Sequence, residues 1–365
     1  MQSLVKGAVF FFAVPFLLSL ILVPLAKRFG FWLNIYATEN DRTVHQGRIV
    51  QIGGLAIYLA FMIAMSIFVE ADNTWNGIII GGSIVFFCGL IDDLVNVKPI
   101  IKLICQAAGA LIAIGVGHIS LGVLTLPFGI SIDTTFLSLL ISFVWIIGVS
   151  NAINLLDGLD GLSAGVCLIV VITIGIIGFF QGRSDICIVT LILAGSILGF
   201  LPYNFNPASI FMGDCGALFL GFIIACVSLL GFKTTTFISL GFPVMILFVP
   251  ILDTVIAIIR RKLSGKRVSE ADRLHLHHIL MYKMNLGHRK TVLTLYAVTT
   301  IFSACAILNY FDSHLGLWVL ILLLFVAELF IEKTEMINPK FHPLLGLWRR
   351  ITRQPKKEDK SKEEV

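Results

Sequence analysis

Four polar residues recur at every third position in the segment 151–161, which reads Asn-Ala-Ile-Asn-Leu-Leu-Asp-Gly-Leu-Asp-Gly. On a helix, Asn151, Asn154, Asp157 and Asp160 would lie along one face, although apolar segments flank them on both sides. Carboxylates at a bilayer edge are costly unless they are paired, hydrated or bound to a cation. The segment therefore predicts a functional site. The alternative is a polar seam that holds helices together.

Three further clusters of acidic or histidine residues stand at the ends of apolar segments: Asp92 and Asp93, then Asp214, then His275, His277 and His278. Oxygen ligands favour hard cations, and Mg²⁺ is commonly held by one or two carboxylates together with substrate phosphates. Zinc at the histidines is an alternative, but no neighbouring cysteine or carboxylate pattern completes a tetrahedral site. Beside Asp272 and Arg273 the histidines are better suited to phosphate oxygens. A solvated basic loop at lipid headgroups is the remaining interpretation.

The composition places these clusters in a membrane protein. Hydrophobic residues make up 57% of the chain, charged residues 13%, and the mean hydropathy is +0.95. We expect an all-α polytopic membrane protein with one integral-membrane domain over 1–335 and a charged tail over 336–365. The seven cysteines form no CxxC pair and predict small core residues. About eleven apolar segments are long enough to be spans: 8–26, 53–69, 76–91, 101–117, 136–155, 162–180, 186–203, 216–232, 237–260, 291–309 and 315–332.

Two local features interrupt this pattern of spans. Pro243 and Pro250 predict a kink or break in the ninth span. Weak alternation around Pro127 and Gly129 suggests a short hairpin over 121–133, between the fourth and fifth spans.

The distribution of basic residues predicts the orientation. Of the 27 Lys and Arg residues, 24 lie in the connections after odd-numbered spans or in the tail, and only Lys6, Arg183 and Lys233 lie on the other side. The positive-inside rule then puts the N-terminus outside and the C-terminus in the cytoplasm. All four clusters follow odd-numbered spans, so they share the cytoplasmic face.

Clusters that converge at one interface suit an enzyme acting on a water-soluble and a membrane-embedded substrate. Mg²⁺-assisted phosphoryl transfer fits, because that chemistry asks the protein mainly for positioning and charge neutralisation. An ion-coupled transporter is the competing class, but transporters more often hold their charges near the midplane. A soluble prenyl-chain synthase, suggested by the paired aspartates, is excluded by hydropathy.

Six motifs resemble the polyprenyl-phosphate N-acetylhexosamine-1-phosphate transferases, relatives of phospho-N-acetylmuramoyl-pentapeptide transferase. They occur in the family's order and on the same predicted face: His45-Gln-Gly with Gly53-Gly54, Gly89 to Asp93, Asn151 to Gly161, Phe211 to Gly216, Pro250 to Asp253, and Asp272 to His278. The spacing His-x-His-His resembles the N-acetylglucosamine-1-phosphate branch.

The resemblance implies a reaction and its partners. The reaction is transfer of a sugar-1-phosphate from a UDP-N-acetylhexosamine, here UDP-N-acetylglucosamine, to undecaprenyl phosphate, with release of UMP. It would begin a cell-envelope glycan of the O-antigen, enterobacterial common antigen or teichoic acid type. Expected partners are Mg²⁺ or Mn²⁺, both substrates, membrane lipids and a second copy in a homodimer, with no nucleic acid. The expected location is a bacterial inner membrane.

The resemblance also implies roles for individual residues. Asp92, Asp93 and Asp214 would be catalytic, and Asp93, Asp157 and Asp214 would hold the metal. Asp253 would support the site or make only a helix contact. Substrate-binding roles fall to Asn151, Asn154, Asp157, Asp160, Arg273, His275, His277, His278, Lys102 and His45. The first cytoplasmic loop departs from the family pattern at Ala37-Thr-Glu39 and Val50-Gln51, which leaves the hexosamine open.

Overall fold

The computed structural model of the chain describes residues 2–36, 49–121, 135–231, 241–265 and 275–337. This part is almost wholly helical, and its only β-type pairing is one antiparallel bridge between Tyr36 and Val50. The expectation of an all-α protein is confirmed. The predicted hairpin over 121–133 falls almost entirely outside the described residues, as does nearly all of the tail after residue 335.

Thirteen helices are numbered here along the described chain, the eleventh running into a π-helical turn over Ile279–Lys283. They are α1 (Gln2–Trp32), α2 (Gly54–Phe68), α3 (Asn73–Val95), α4 (Pro99–Gly115), α5 (Thr135–Leu156), α6 (Leu162–Phe180), α7 (Ser184–Asn204), α8 (Gly213–Gly231), α9 (Gly241–Ile246), α10 (Phe248–Leu263), α11 (Leu276–His278), α12 (His288–Phe311) and α13 (Ser313–Thr334).

Each predicted span coincides with a helix, except the ninth, which forms two. Within the described residues, eight helices are long and apolar enough to cross a membrane, and α2 and α4 are shorter apolar helices. The ninth predicted span breaks at Leu247, between α9 and α10. Pro250 has no N–H to donate to the carbonyl of Ile246 and its ring crowds that turn, so the break expected from the prolines is confirmed. The protein is a multi-pass membrane protein.

The helix α8 lies at the centre of the bundle and is almost entirely buried. It packs against α2, α3, α5 and α6. Small residues allow the close approach: a Cβ at Gly89 of α3 would lie 2.6 Å from the Cα of Cys215, and one at Gly54 would lie 2.3 Å from the Cα of Gly216. Membrane helices commonly associate through such small residues, because apolar burial gives little advantage in lipid. The N-terminus of α8 is thereby fixed against α2 and α3.

Large apolar side chains are exposed on the outside of the bundle. Trp318 on α13 is 71% exposed and Phe136 on α5 is 80% exposed. Water would not favour such surfaces on a folded protein, whereas lipid tails match them. The exposed faces therefore mark the surface that meets the bilayer.

Candidate active site at the start of helix α8

The start of α8 is capped by a carboxylate from α3. Asp93 Oδ1 accepts a hydrogen bond from the backbone N of Asp214 (2.8 Å), and its Oδ2 accepts one from the backbone N of Cys215 (3.0 Å). The Gln51 amide also reaches Oδ1, at 3.4 Å. A carboxylate at a helix N-terminus satisfies free N–H groups and complements the helix dipole. The backbone that carries Asp214 is therefore held by Asp93.

A helix N-terminus can offer backbone N–H groups to a phosphate, but here the N–H groups of Asp214 and Cys215 donate to Asp93 instead. Both oxygens of Asp93 are in turn engaged by the protein. Of the three predicted metal ligands, Asp93 is thus the one with both carboxylate oxygens occupied by protein hydrogen bonds.

A lysine bridges the two other acids of the cluster. Lys102 Nζ lies 3.0 Å from Asp92 Oδ2 and 2.7 Å from Asp214 Oδ2. Asp92 Oδ1 also accepts a hydrogen bond from the backbone N of Val97, at 2.7 Å, in the turn between α3 and α4. Lys102 lies in the first turn of α4, so the connection between α3 and α4 sets the distance between Asp92 and Lys102. One cation is shared between two carboxylates, which leaves the cluster net negative.

The segment 151–161 places its four polar residues in different surroundings. The Asn154 side chain lies near the Asp214 carboxylate. Asp157 stands in the turn after α5, and nothing in the described part of the chain donates a hydrogen bond to its carboxylate or forms an ion pair with it. Burial raises the pKa of Asp157 well above its ordinary value, and the negative charges of Asp214 and Asp93 raise it further.

The other two members of that segment are engaged by neighbouring helices and loops. Asn151 exchanges side-chain hydrogen bonds with Gln106 of α4, which is buried inside the bundle. Asp160 Oδ2 accepts hydrogen bonds from Asn206 Nδ2 and the backbone N of Ala208, both at 3.0 Å. The two residues fit the alternative of a polar seam between helices. In the segment 151–161, the first and last polar residues, Asn151 and Asp160, therefore contact neighbouring helices and loops. The two middle ones, Asn154 and Asp157, lie beside the acids.

The histidine run is fixed by an acid from α10. Asp253 Oδ2 lies 2.9 Å from His275 Nδ1, and its Oδ1 accepts a hydrogen bond from the backbone N of Leu276 at 2.7 Å. Both side chains are buried. Asp253 therefore orients the His275 ring and caps the start of α11. Of the two roles expected for Asp253, support of the site fits better than a simple contact between helices.

The middle histidine packs on the segment that carries Asp157. A Cβ at Gly158 would lie 2.5 Å from His277 Nε2, so only glycine leaves room for the ring. Burial, together with the nearby His278, lowers the pKa of His277 to about 3, so its imidazole is neutral. The His278 ring stacks near Tyr282, with ring centroids 5.9 Å apart. The contact brings the histidine run beside the acids.

The structure thus brings together Asp92, Asp93, Lys102, Asn154, Asp157 and Asp214 directly, and joins His277 to them through Gly158. His45 and Arg273 lie outside the described residues. Sequence reasoning missed Gln51, Gln106 and Asn206. Gln106 had a detectable signal, because an amide in an apolar span must find a partner.

The donor chemistry fits a hard cation bound together with a substrate. Among the described residues, no three His, Cys, Asp or Glu side chains form a group able to hold a metal ion by themselves. The structure therefore gives no support to zinc at the histidines. Mg²⁺ needs only one or two carboxylates when phosphates supply further oxygens. The carboxylate of Asp157, which accepts no hydrogen bond from the described part of the chain, suits that role.

Comparison with known proteins agrees with this geometry. A family profile described as glycosyl transferase family 4 matches residues 75–232, which run from α3 to the end of α8. A probable undecaprenyl-phosphate N-acetylglucosaminyl 1-phosphate transferase of Bacillus subtilis (strain 168) is 36% identical over 349 residues, covering 94% of this chain and 96% of its own length. The chain belongs to the polyprenyl-phosphate N-acetylhexosamine-1-phosphate transferase family.

Two further relatives show the breadth of the family. A decaprenyl-phosphate N-acetylglucosaminephosphotransferase of Mycobacterium leprae is 32% identical over 72% of this chain and 74% of its own length. A phospho-N-acetylmuramoyl-pentapeptide-transferase of Staphylococcus saprophyticus is 29% identical over 84% of this chain and 96% of its own. The protein is a membrane-bound phosphotransferase.

Proposed function

We propose that the protein transfers N-acetylglucosamine-1-phosphate from UDP-N-acetylglucosamine to undecaprenyl phosphate at the cytoplasmic face of a bacterial membrane. The products are undecaprenyl-pyrophosphoryl-N-acetylglucosamine and UMP. The observation that carries the proposal is the cluster of Asp92, Lys102 and Asp214 at the start of α8, next to the carboxylate of Asp157, which has no hydrogen-bond donor among the described residues. The choice of sugar and lipid is supported by the Bacillus subtilis relative, whose name contains both and whose alignment spans nearly the whole chain.

In the proposed reaction, an oxygen of the lipid phosphate attacks the β-phosphorus of the UDP-sugar. A new phosphorus–oxygen bond forms to the lipid, and the bond from the β-phosphorus to the bridging oxygen breaks, so that UMP leaves with that oxygen. Reactions of this type depend on positioning and charge neutralisation more than on covalent chemistry by the protein.

The proposed roles follow from what each side chain already contacts. Among the described residues, Lys102 is the cation nearest the acids, and it neutralises the incoming lipid phosphate. Asp92 takes a proton from that phosphate when it arrives protonated, because its Oδ2 lies beside Lys102, which would bind the phosphate. Asn154 and His277 orient the nucleotide and pyrophosphate. Asp157 and Asp214 would hold Mg²⁺, which neutralises charge on the pyrophosphate when bound.

The experiment is a reconstituted assay with purified protein, undecaprenyl phosphate and Mg²⁺. UMP and lipid-linked sugar are measured with UDP-N-acetylglucosamine, UDP-N-acetylgalactosamine or UDP-N-acetylmuramoyl-pentapeptide as the donor. We expect transfer with the first donor, dependence on the lipid, and loss of transfer on adding EDTA. Transfer from another donor alone would overturn the choice of sugar. Failure with every donor, in folded protein, would overturn the proposed reaction.

A further inference from the structure

The C-terminal end of the last helix contacts the segment that carries the histidines. Lys283, the last residue of the π-helical turn, donates from Nζ to the carbonyl O of Thr334 (2.7 Å) and lies 3.1 Å from Glu335 Oε2. The last carbonyl groups of a helix have no intrahelical partner, and a lysine there also complements the helix dipole. Lys283 therefore ties the histidine segment to α13.

The same helix end is held by α10. Arg260 donates from Nη1 to the carbonyl O of Met336 at 2.8 Å, and the residues at this contact are buried. Glu335, which lies between Thr334 and Met336 in the chain, has φ 54°. This left-handed conformation costs about 1–2 kcal/mol for a residue other than glycine. The end of α13 is thus held by two cations, the buried guanidinium of Arg260 and the half-exposed ammonium of Lys283.

These contacts close a ring around the histidines. Asp253 of α10 holds the beginning of the segment through His275 and Leu276, and Lys283 holds its end on α13. Arg260, two turns after Asp253 on α10, connects α13 back to α10. The segment is thus fixed at both ends to one rigid frame. The π turn, closed by the backbone N of Met284 on the O of Ile279 at 3.0 Å, sets the direction in which Lys283 leaves it.

We propose that Lys283 and Arg260 are positioning residues, which use the end of α13 to hold His277 and His278 over the site. The inference rests on the proposed function, because the histidines matter only if they meet the pyrophosphate. All members of the ring lie beyond residues 75–232, so the part of the chain that matches the family profile does not contain it. Misplacing a positioned group by about 1 Å can cost roughly 100-fold in rate.

The test compares Lys283→Met, Lys283→Arg and Lys333→Met in the full-length protein. Lys333 lies in the last turn of α13 and is exposed, and its side chain makes no hydrogen bond or ion pair with the described residues, so it is a matched control. Hydrogen–deuterium exchange of residues 276–284 reports the position of the segment without any substrate. The kcat and KM for the UDP-sugar report its effect on the reaction.

We expect Lys283→Met to speed exchange in that segment about tenfold and to lower kcat about tenfold, with Tm close to that of the wild type. We expect Lys283→Arg to keep the exchange rate of the segment and kcat close to those of the wild type, and Lys333→Met to change neither quantity. Unchanged exchange in Lys283→Met overturns the proposal, as does faster exchange with an undiminished kcat. A wild-type protein that performs no transfer contradicts the proposed function, whereas the exchange result still decides whether Lys283 fixes the segment.

Discussion

At the scale of single residues, charge balance decides what the site can do. Lys102 is shared by Asp92 and Asp214, while Asp157 has no partner among the described residues. In a partly buried site, carboxylates that face one another repel unless a cation or a proton intervenes. An arrangement of this kind is poor as a structural seam and well suited to bring in a cation together with phosphates.

Replacing Lys102 with methionine tests this balance. We expect Lys102→Met to lower UMP release by about 100-fold, because it removes positive charge from the point where negative charge gathers. Lys98→Met is the control, since Lys98 lies one turn earlier in the chain, is exposed and makes no hydrogen bond or ion pair with an acid among the described residues. Equal losses in the two variants would show that surface charge, rather than the contact with Asp92 and Asp214, governs activity.

The neutral state of His277 predicts acid sensitivity. Its pKa is about 3 in the folded protein and about 6.5 when unfolded, so the unfolded chain binds more protons as the pH falls. The contribution of His277 to the free energy of unfolding is complete above pH 6.5 and declines as the pH falls from 6.5 towards 3. At pH 5.5 this contribution is smaller by about 1 kcal/mol.

The measurement is Tm in detergent at pH 7.5 and pH 5.5 for the wild type and His277→Gln. We expect the wild type to lose more stability than the variant over this interval. An identical loss in both proteins would mean that His277 is not buried as a neutral ring.

At the scale of elements, the close packing of α3 against the start of α8 builds the site. Gly213 has φ 76°, and a Cβ there would lie 2.1 Å from the carbonyl O of Gln51 and 2.6 Å from Asp93 Oδ2. Only glycine fits both the backbone conformation and the space. The turn that delivers Asp214 therefore depends on this residue.

Substituting Gly213 with alanine should disrupt that turn. We expect Gly213→Ala to destabilise the protein by about 2 kcal/mol or more and to reduce transfer strongly, because Asp93 and Asp214 must shift. Gly148→Ala on α5 is the control, since a Cβ there meets nothing within 4 Å. A Tm for Gly213→Ala equal to that of the control would refute the close packing described here.

The sequence predicted the elements better than it predicted their contacts. Hydropathy located nearly all the spans and the break near Pro243 and Pro250, because both depend on local composition. It also grouped the acids on one face. It could not separate Asn151, which pairs with Gln106, from Asp157, which has no partner in the part of the chain that the structure describes, because their surroundings come from other helices. For the same reason, the sequence could not predict that Asp93 caps the start of α8.

At the scale of the whole molecule, the fold gathers residues from distant parts of the chain at one end of a buried helix. Acids from α3 and α8, Lys102 from α4 and the turn after α5 meet there, and α10 and α13 hold the histidine run beside them. The basic residues after odd-numbered spans predict that this end faces the cytoplasm.

Fusions to the C-terminus test this orientation. We expect a C-terminal green fluorescent protein to be fluorescent and a C-terminal alkaline phosphatase to be inactive, because the first folds in the cytoplasm and the second only outside it. The opposite pair of results would place the site on the outer face, away from a cytosolic nucleotide sugar.

The most direct test of the central claim is the turnover of Asp214→Asn in the reconstituted assay with undecaprenyl phosphate, Mg²⁺ and UDP-N-acetylglucosamine. Asparagine keeps the size of the side chain but removes the charge that meets Lys102 and would meet the metal. We predict that UMP release falls by about 1,000-fold in a protein whose Tm stays near that of the wild type. Near-normal turnover in that folded variant would contradict a phosphoryl-transfer site at the start of α8.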